Sequence, residues 1–126
     1  MPAYNNSFPP SAVTRGIDVV IVNAEQLGAG KQSQRAAVAQ PTSQNPGPIT
    51  LTFSYATVPA AVQYDIYVAW DDSLGFAGYT KVGTTNNVAG DQVTIQRGAA
   101  GGQNFRLILV SEVISPGVNA IVTVRE

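Results

Sequence analysis

The clearest pattern in the chain lies between Pro48 and Trp70. Ile49, Leu51, Phe53 and Tyr55 alternate with Thr50, Thr52 and Ser54, the two-residue period of a strand with one buried face. Pro59 marks a corner. Beyond it Tyr64, Ile66, Val68 and Trp70 fall on one face, and Gln63, Asp65, Tyr67 and Ala69 on the other. Two such strands supply facing walls for a β-sandwich. Further strands are predicted over 17–23, 79–85, 91–97, 104–110 and 120–124, with turn residues between them. In the fifth of the seven, Val93 and Ile95 point inward; in the sixth, Phe105, Leu107 and Leu109 share a face; in the last, Val122 and Val124 do. No helical period appears and no internal repeat. The pattern predicts an all-β, seven-stranded antiparallel sandwich.

Two stretches stand outside this pattern. Residues 1–16 carry Pro2, Pro9 and Pro10 with two lone aromatics, Tyr4 and Phe8; the prolines exclude a regular helix and favour extended backbone. Such an arm either anchors in a neighbour's groove or folds back on its own domain. Residues 24–47 form a long segment rich in Gly, Ala, Gln and Ser, with a weak edge strand expected at 35–40. Loops of that length are usually functional or mobile, and this one is expected to be a contact loop that orders on assembly or an insertion without a role. The organisation read from the sequence is therefore an arm over 1–16 and one sandwich domain over 17–126, with a long loop at 24–47.

Composition narrows the chemistry. A chain of 126 residues suits a single domain that buries roughly two-thirds of its unfolded surface. Charged residues make up 12%, about half the usual share, which suits a surface covered by neighbours. The seven cations (Arg15, Lys31, Arg35, Lys81, Arg97, Arg106, Arg125) are scattered and the net charge is −1, so no basic stripe follows a nucleic-acid backbone. No apolar run approaches a bilayer's thickness, and the N-terminus lacks the pattern of a secretory signal. The expected setting is cytoplasmic, with no membrane partner.

Histidine and cysteine are both absent, which removes the usual neutral-pH base, thiol chemistry and the commonest metal ligands. The adjacent Asp71 and Asp72 make only the start of a Ca²⁺ site, which needs six or more oxygens; they read as a solvated turn. Gly28-Ala29-Gly30-Lys31-Gln32-Ser33 looks like a phosphate loop only superficially, because the glycine spacing is wrong and no helix follows. Trp70, Leu74, Phe76 and Tyr79 either close one end of the core or form a sugar-stacking or partner patch, the former being favoured. No enzyme and no cofactor is expected.

Ile49-Thr-Leu-Thr-Phe, Tyr64-Asp-Ile-Tyr-Val, Tyr79-Thr-Lys-Val-Gly-Thr-Thr, Val93-Thr-Ile and Asn104-Phe-Arg-Leu-Ile-Leu-Val together resemble strands of a fibronectin type III, Ig-like domain over residues 49–124. Phe53 stands where that family has a core Trp, and Phe105 where it has a strand Tyr. The arm and the loop are additions similar to those of small β-sandwich virion proteins of tailed phages. That resemblance implies a structural virion protein, a capsid decoration or cement protein, assembled in the host cytoplasm and contacting capsid subunits as a homo-oligomer. Its expected partner-binding residues are Tyr4, Phe8, Ile17, Val19 and Ile21, with the loop cations Lys31 and Arg35. The alternative is a carbohydrate- or receptor-binding module of a fibre or surface protein.

Overall fold

The computed structural model describes residues 10–38, 48–70, 75–85, 91–96 and 105–126. Alternation of β-branched and aromatic residues with threonines becomes strand wherever the period is two. Nine strands form among the described residues: β1 (Ser11–Ala12), β2 (Val19–Glu25), β3 (Ala36–Ala37), β4 (Ile49–Tyr55), β5 (Gln63–Ala69), β6 (Thr80–Thr84), β7 (Gln92–Ile95), β8 (Leu107–Ile114) and β9 (Ala120–Arg125). All seven expected strands are present. The two beyond the seven are the two-residue β1, inside the expected arm, and β3, which falls within the weak edge strand expected at 35–40. A 3-10 turn, Gly75–Gly78, precedes β6.

Two sheets result, ordered β1-β3-β8-β5-β6 and β2-β9-β4-β7. The pairings nest: β2 with β9, β3 with β8, β4 with β7 and β5 with β6, all antiparallel. A chain paired in this way is a long multi-stranded hairpin rolled onto itself, the strand order of a jelly roll. In the Ig arrangement the last strand lies in the sheet of the strand before it. Here β9 crosses to the other sheet, between β2 and β4, where it pairs along Thr50–Tyr55. The fold is an all-β sandwich, and its sheet partition departs from the expected Ig pattern.

The core fills the space between the sheets. Ile49, Leu51 and Phe53 of β4 face Tyr64, Ile66 and Val68 of β5, with Ile108 and Val110 of β8 and Val122 and Val124 of β9 around them. Phe53 and Tyr64 meet with ring centroids 5.4 Å apart. In β2 a register shift puts adjacent Ile21 and Val22 both inside, and Ala24 takes a φ of +53° at the second shift, a conformation costly to a residue with a Cβ. Leu107 to Val110 are buried on both faces, because the 3-10 turn covers the outside of β8. There Leu107 and Leu109 pack with Ala69 and Tyr79, joined by Tyr67 and Phe76.

Phe53 sits at the centre of this core with no exposed surface. Phe53→Ala is expected to cost about 3–5 kcal/mol, read as a lower urea midpoint at unchanged slope. A loss under about 1 kcal/mol would mean the two sheets do not close on this ring.

Candidate functional site

The most constrained polar site in the molecule lies where β8 leaves the core. Glu112 follows Ile108 and Val110 on the inward face and is fully buried. A buried carboxylate requires hydrogen-bond donors, and residues 24–34 supply them. The Leu27 backbone N–H donates to one carboxylate oxygen at 3.1 Å and the Gly28 N–H to the other at 3.0 Å. The Tyr64 hydroxyl donates a longer bond, 3.4 Å, from the neighbouring strand β5. The main chain of Glu112 joins in, its carbonyl accepting from Gly30 N at 2.7 Å and its N–H donating to Lys31 O at 3.0 Å.

The glycines make this possible. Gly28 and Gly30 have φ of +98° and +79°, in the region open to glycine at little cost, and Lys31 N closes the turn on Gly28 O at 3.0 Å. The segment that superficially looks like a phosphate loop thus holds an anion, but the anion is the chain's own carboxylate. Beyond the turn the backbone runs along β8 as an interrupted strand. Gln32 bridges Ser111, Ser33 N donates to Val110 O at 2.8 Å, and the Ser33 hydroxyl accepts from Val110 N at 3.0 Å. Val38 N then donates to Arg106 O at 2.8 Å.

Two phenols share this end of the core. Burial above all, then the nearby carboxylate of Glu112, then Tyr55 hold the Tyr64 hydroxyl well above the usual phenol range, and its bond to Glu112 adds to the effect. Tyr55 is pushed up to about 12, by burial first, then by the charges of Asp91 and Glu112; its hydroxyl is buried with no hydrogen-bond partner among the described residues. Such a cluster fixes a loop. Among the described residues no group of three or more acidic side chains is placed to hold a metal, and Asp71 and Asp72 lie outside them.

The expected partner-binding residues separate in space. Tyr4 and Phe8 lie outside the described residues. Ile17 is exposed, Val19 packs against the core from β2, and Ile21 is inside it. Lys31 is exposed at the tip of the Glu112-anchored turn, whereas Arg35 is buried, its carbonyl accepting from Ser11 N at 3.1 Å. Residues 10–13 also belong to the domain, with Val13 buried and its N–H on Ala37 O at 2.8 Å. The expected closure of the core by Trp70 and Phe76 is not what forms. Phe76 stacks on Tyr79 and meets Tyr67 edge-on, on the outer face of the sheet, while Trp70 stays 50% exposed outside that cluster.

Sequence reasoning missed Glu112. The available signal was a lone acid in the apolar run Leu107–Ile114, a residue type that rarely enters a core without partners.

A second feature is an uncharged end of the sandwich. The β4–β5 connection and the β8–β9 connection adjoin, with Ala56 N donating to Asn119 O at 2.9 Å. Neither 56–64 nor 113–124 contains a charged residue. Val58 is 80% exposed there, and Val113, Ile114 and Ile121 are each exposed by more than a third.

No protein-family model, no curated protein and no solved structure matches the chain.

Glu112→Gln puts an N–H₂ where one of the donors at Leu27, Gly28 or Tyr64 needs an acceptor. It is expected to lower stability by about 2–4 kcal/mol, measured by urea unfolding at neutral pH; an unchanged midpoint would show that the carboxylate does not hold the segment. The phenols give a prediction at high pH. Ionising either is harder in the folded chain than in the unfolded one, so their contribution is complete below the ordinary phenol value of 10.0 and is lost as pH rises through about 12 for Tyr55 and higher for Tyr64. In an absorbance titration of the phenolates, Tyr55→Phe and Tyr64→Phe should each remove one late-titrating group, and removal of an early-titrating group instead would refute the assignment.

Proposed function

We propose that the chain is a non-catalytic structural component of a virion, of the capsid decoration or cement kind, which holds neighbouring subunits by surface contact. The observation that carries this reading is the uncharged end of the sandwich, where two connections adjoin and Val58, Val113, Ile114 and Ile121 are each exposed. Exposed apolar side chains in a region without charge suit an interaction site, since charged residues are the ones depleted from interface centres. Its lack of charge removes repulsion when copies of one chain meet, which suits a homo-oligomer on a symmetric particle.

Two further considerations support the reading. The jelly-roll strand order recurs in viral capsid domains as well as in lectin domains and cupins; this is an analogy of fold and raises the expectation without assigning the role. A sequence without histidine or cysteine also offers little for catalysis and much for shape. Attachment by several modest contacts, multiplied by symmetry, then gives firm binding without one tight site. Ile17 is exposed too, but before β2 at the Glu126 end of β9, away from the uncharged end. No resident cofactor enters this reading.

The test uses purified particles from the source that encodes the chain. Wild-type protein should co-sediment with them in a saturable, stoichiometric way. Val58→Asp with Ile114→Asp should weaken attachment at least tenfold, about 1.4 kcal/mol, at an unchanged melting temperature. Saturable attachment by the double variant with wild-type affinity would overturn the assignment of this end as the contact surface.

A further inference from the structure

The outer face of the β2-β9-β4-β7 sheet carries a groove that the assembly reading does not use. Register places its residues in rows. Thr50 is opposite Arg125 on β9 and Thr94 on β7, while Thr52 is opposite Thr123 on β9 and Gln92 on β7. Asp18, just before β2, lies 3.6 Å from the Arg125 guanidinium. Together with Pro48 and Glu126 these residues, Thr94 excepted, line an open groove of about 540 Å³, within the range of small-molecule sites, roughly 300–1,000 Å³.

The chemistry of the lining points to one kind of occupant. The lining mixes donors and acceptors: three threonine hydroxyls, the Gln92 amide, the Arg125 guanidinium and the Asp18 carboxylate. Some are already oriented, since the Gln92 amide donates to the Thr52 hydroxyl at 3.3 Å and the Thr50 and Thr94 hydroxyls are 3.2 Å apart. Between them the threonine methyls and the Pro48 ring leave small apolar patches. The charges cancel locally, because Asp18 faces Arg125 and Glu126 is held by Arg15 at 3.3 Å. A phosphate, a carboxylate or a cation therefore meets charges of both signs, with no cluster of one sign to draw it in. A ligand with many neutral hydroxyls spaced among C–H groups matches both halves of the pattern.

We propose that this groove binds a neutral saccharide, with Thr52, Gln92, Thr123 and Arg125 as its hydrogen-bonding residues. Among the described residues the lining contains no aromatic ring, so without the stacking that tightens many sugar sites the expected affinity is in the millimolar range. The inference does not draw on the assembly reading: Val58 and Ile114, the residues that test that reading, do not line the groove, although Ile121 lies on the same face of β9 as Thr123.

The experiment follows the backbone amides of the full chain by NMR during titration with methyl α-glucoside, methyl α-mannoside, methyl β-galactoside and N-acetylglucosamine. Inorganic phosphate and tetramethylammonium serve as charged comparisons. At least one sugar should give saturable shifts confined to amides of β4, β9 and β7 around the groove. Thr123→Val and Gln92→Ala, both surface changes that leave the rest of the spectrum in place, should each weaken that sugar about fivefold or more. The proposal is overturned if no sugar gives saturable shifts there up to about 100 mM, far above a millimolar Kd. It is equally overturned if phosphate or tetramethylammonium binds and the sugars do not, or if both variants bind as the wild type does.

Discussion

A carboxylate cannot stay inside a protein without donors, and the need to satisfy Glu112 sets the form of one whole side of this sandwich. Its acceptors take the Leu27 and Gly28 N–H groups, and its main chain takes Gly30 and Lys31. A glycine-rich stretch with no periodicity of its own thereby becomes the strand that covers the edge of β8. Once that segment is in place, β3 can pair with β8 and β1 can pair with β3, so the wall closes from Ser11 to Val38. An uncovered edge along β8, one of the longest strands in the domain, would instead be open to other chains.

The same constraint divides the surface. Segments 10–13 and 24–38 are spent on the domain itself, as the burial of Val13, Leu27, Ser33, Arg35 and Ala36 shows. Among the described residues the exposed features include the uncharged loops at one end, the hydroxyl-rich outer face of β4 and β9, and Trp70 beyond β5. Self-closure and outward contact are carried by different residues. A change on the outside can therefore alter binding without unfolding the chain.

Much of this was legible in the sequence. The alternation in 49–55 and 63–69 gave both strands and both faces, because a half-buried strand must repeat every two residues. Phe105, Leu107 and Leu109 were expected to share one face, yet Phe105 joins the core with Ile108 and Val110 while Leu107 and Leu109 pack on the outside. A continuous apolar run signals cover on both sides, and the outer cover comes from Phe76 and Tyr79, far away along the chain. Strand order could not be read at all. Whether β9 lies beside β8 or beside β4 depends on long-range packing, and the same alternating strand suits either neighbour. The segment around Gly28 was opaque for a related reason: its order comes from backbone bonds to an acid 84 residues away, and backbone groups leave no pattern in side chains.

Amide hydrogen exchange on the isolated chain at neutral pH bears most directly on this account. If Glu112 builds the segment into the fold, the N–H groups of Leu27, Gly28, Gly30 and Ser33 exchange slowly, through the same opening that exposes β5 and β8. Exchange of those four at the rate of an unstructured peptide, while β5 and β8 stay protected, would contradict it.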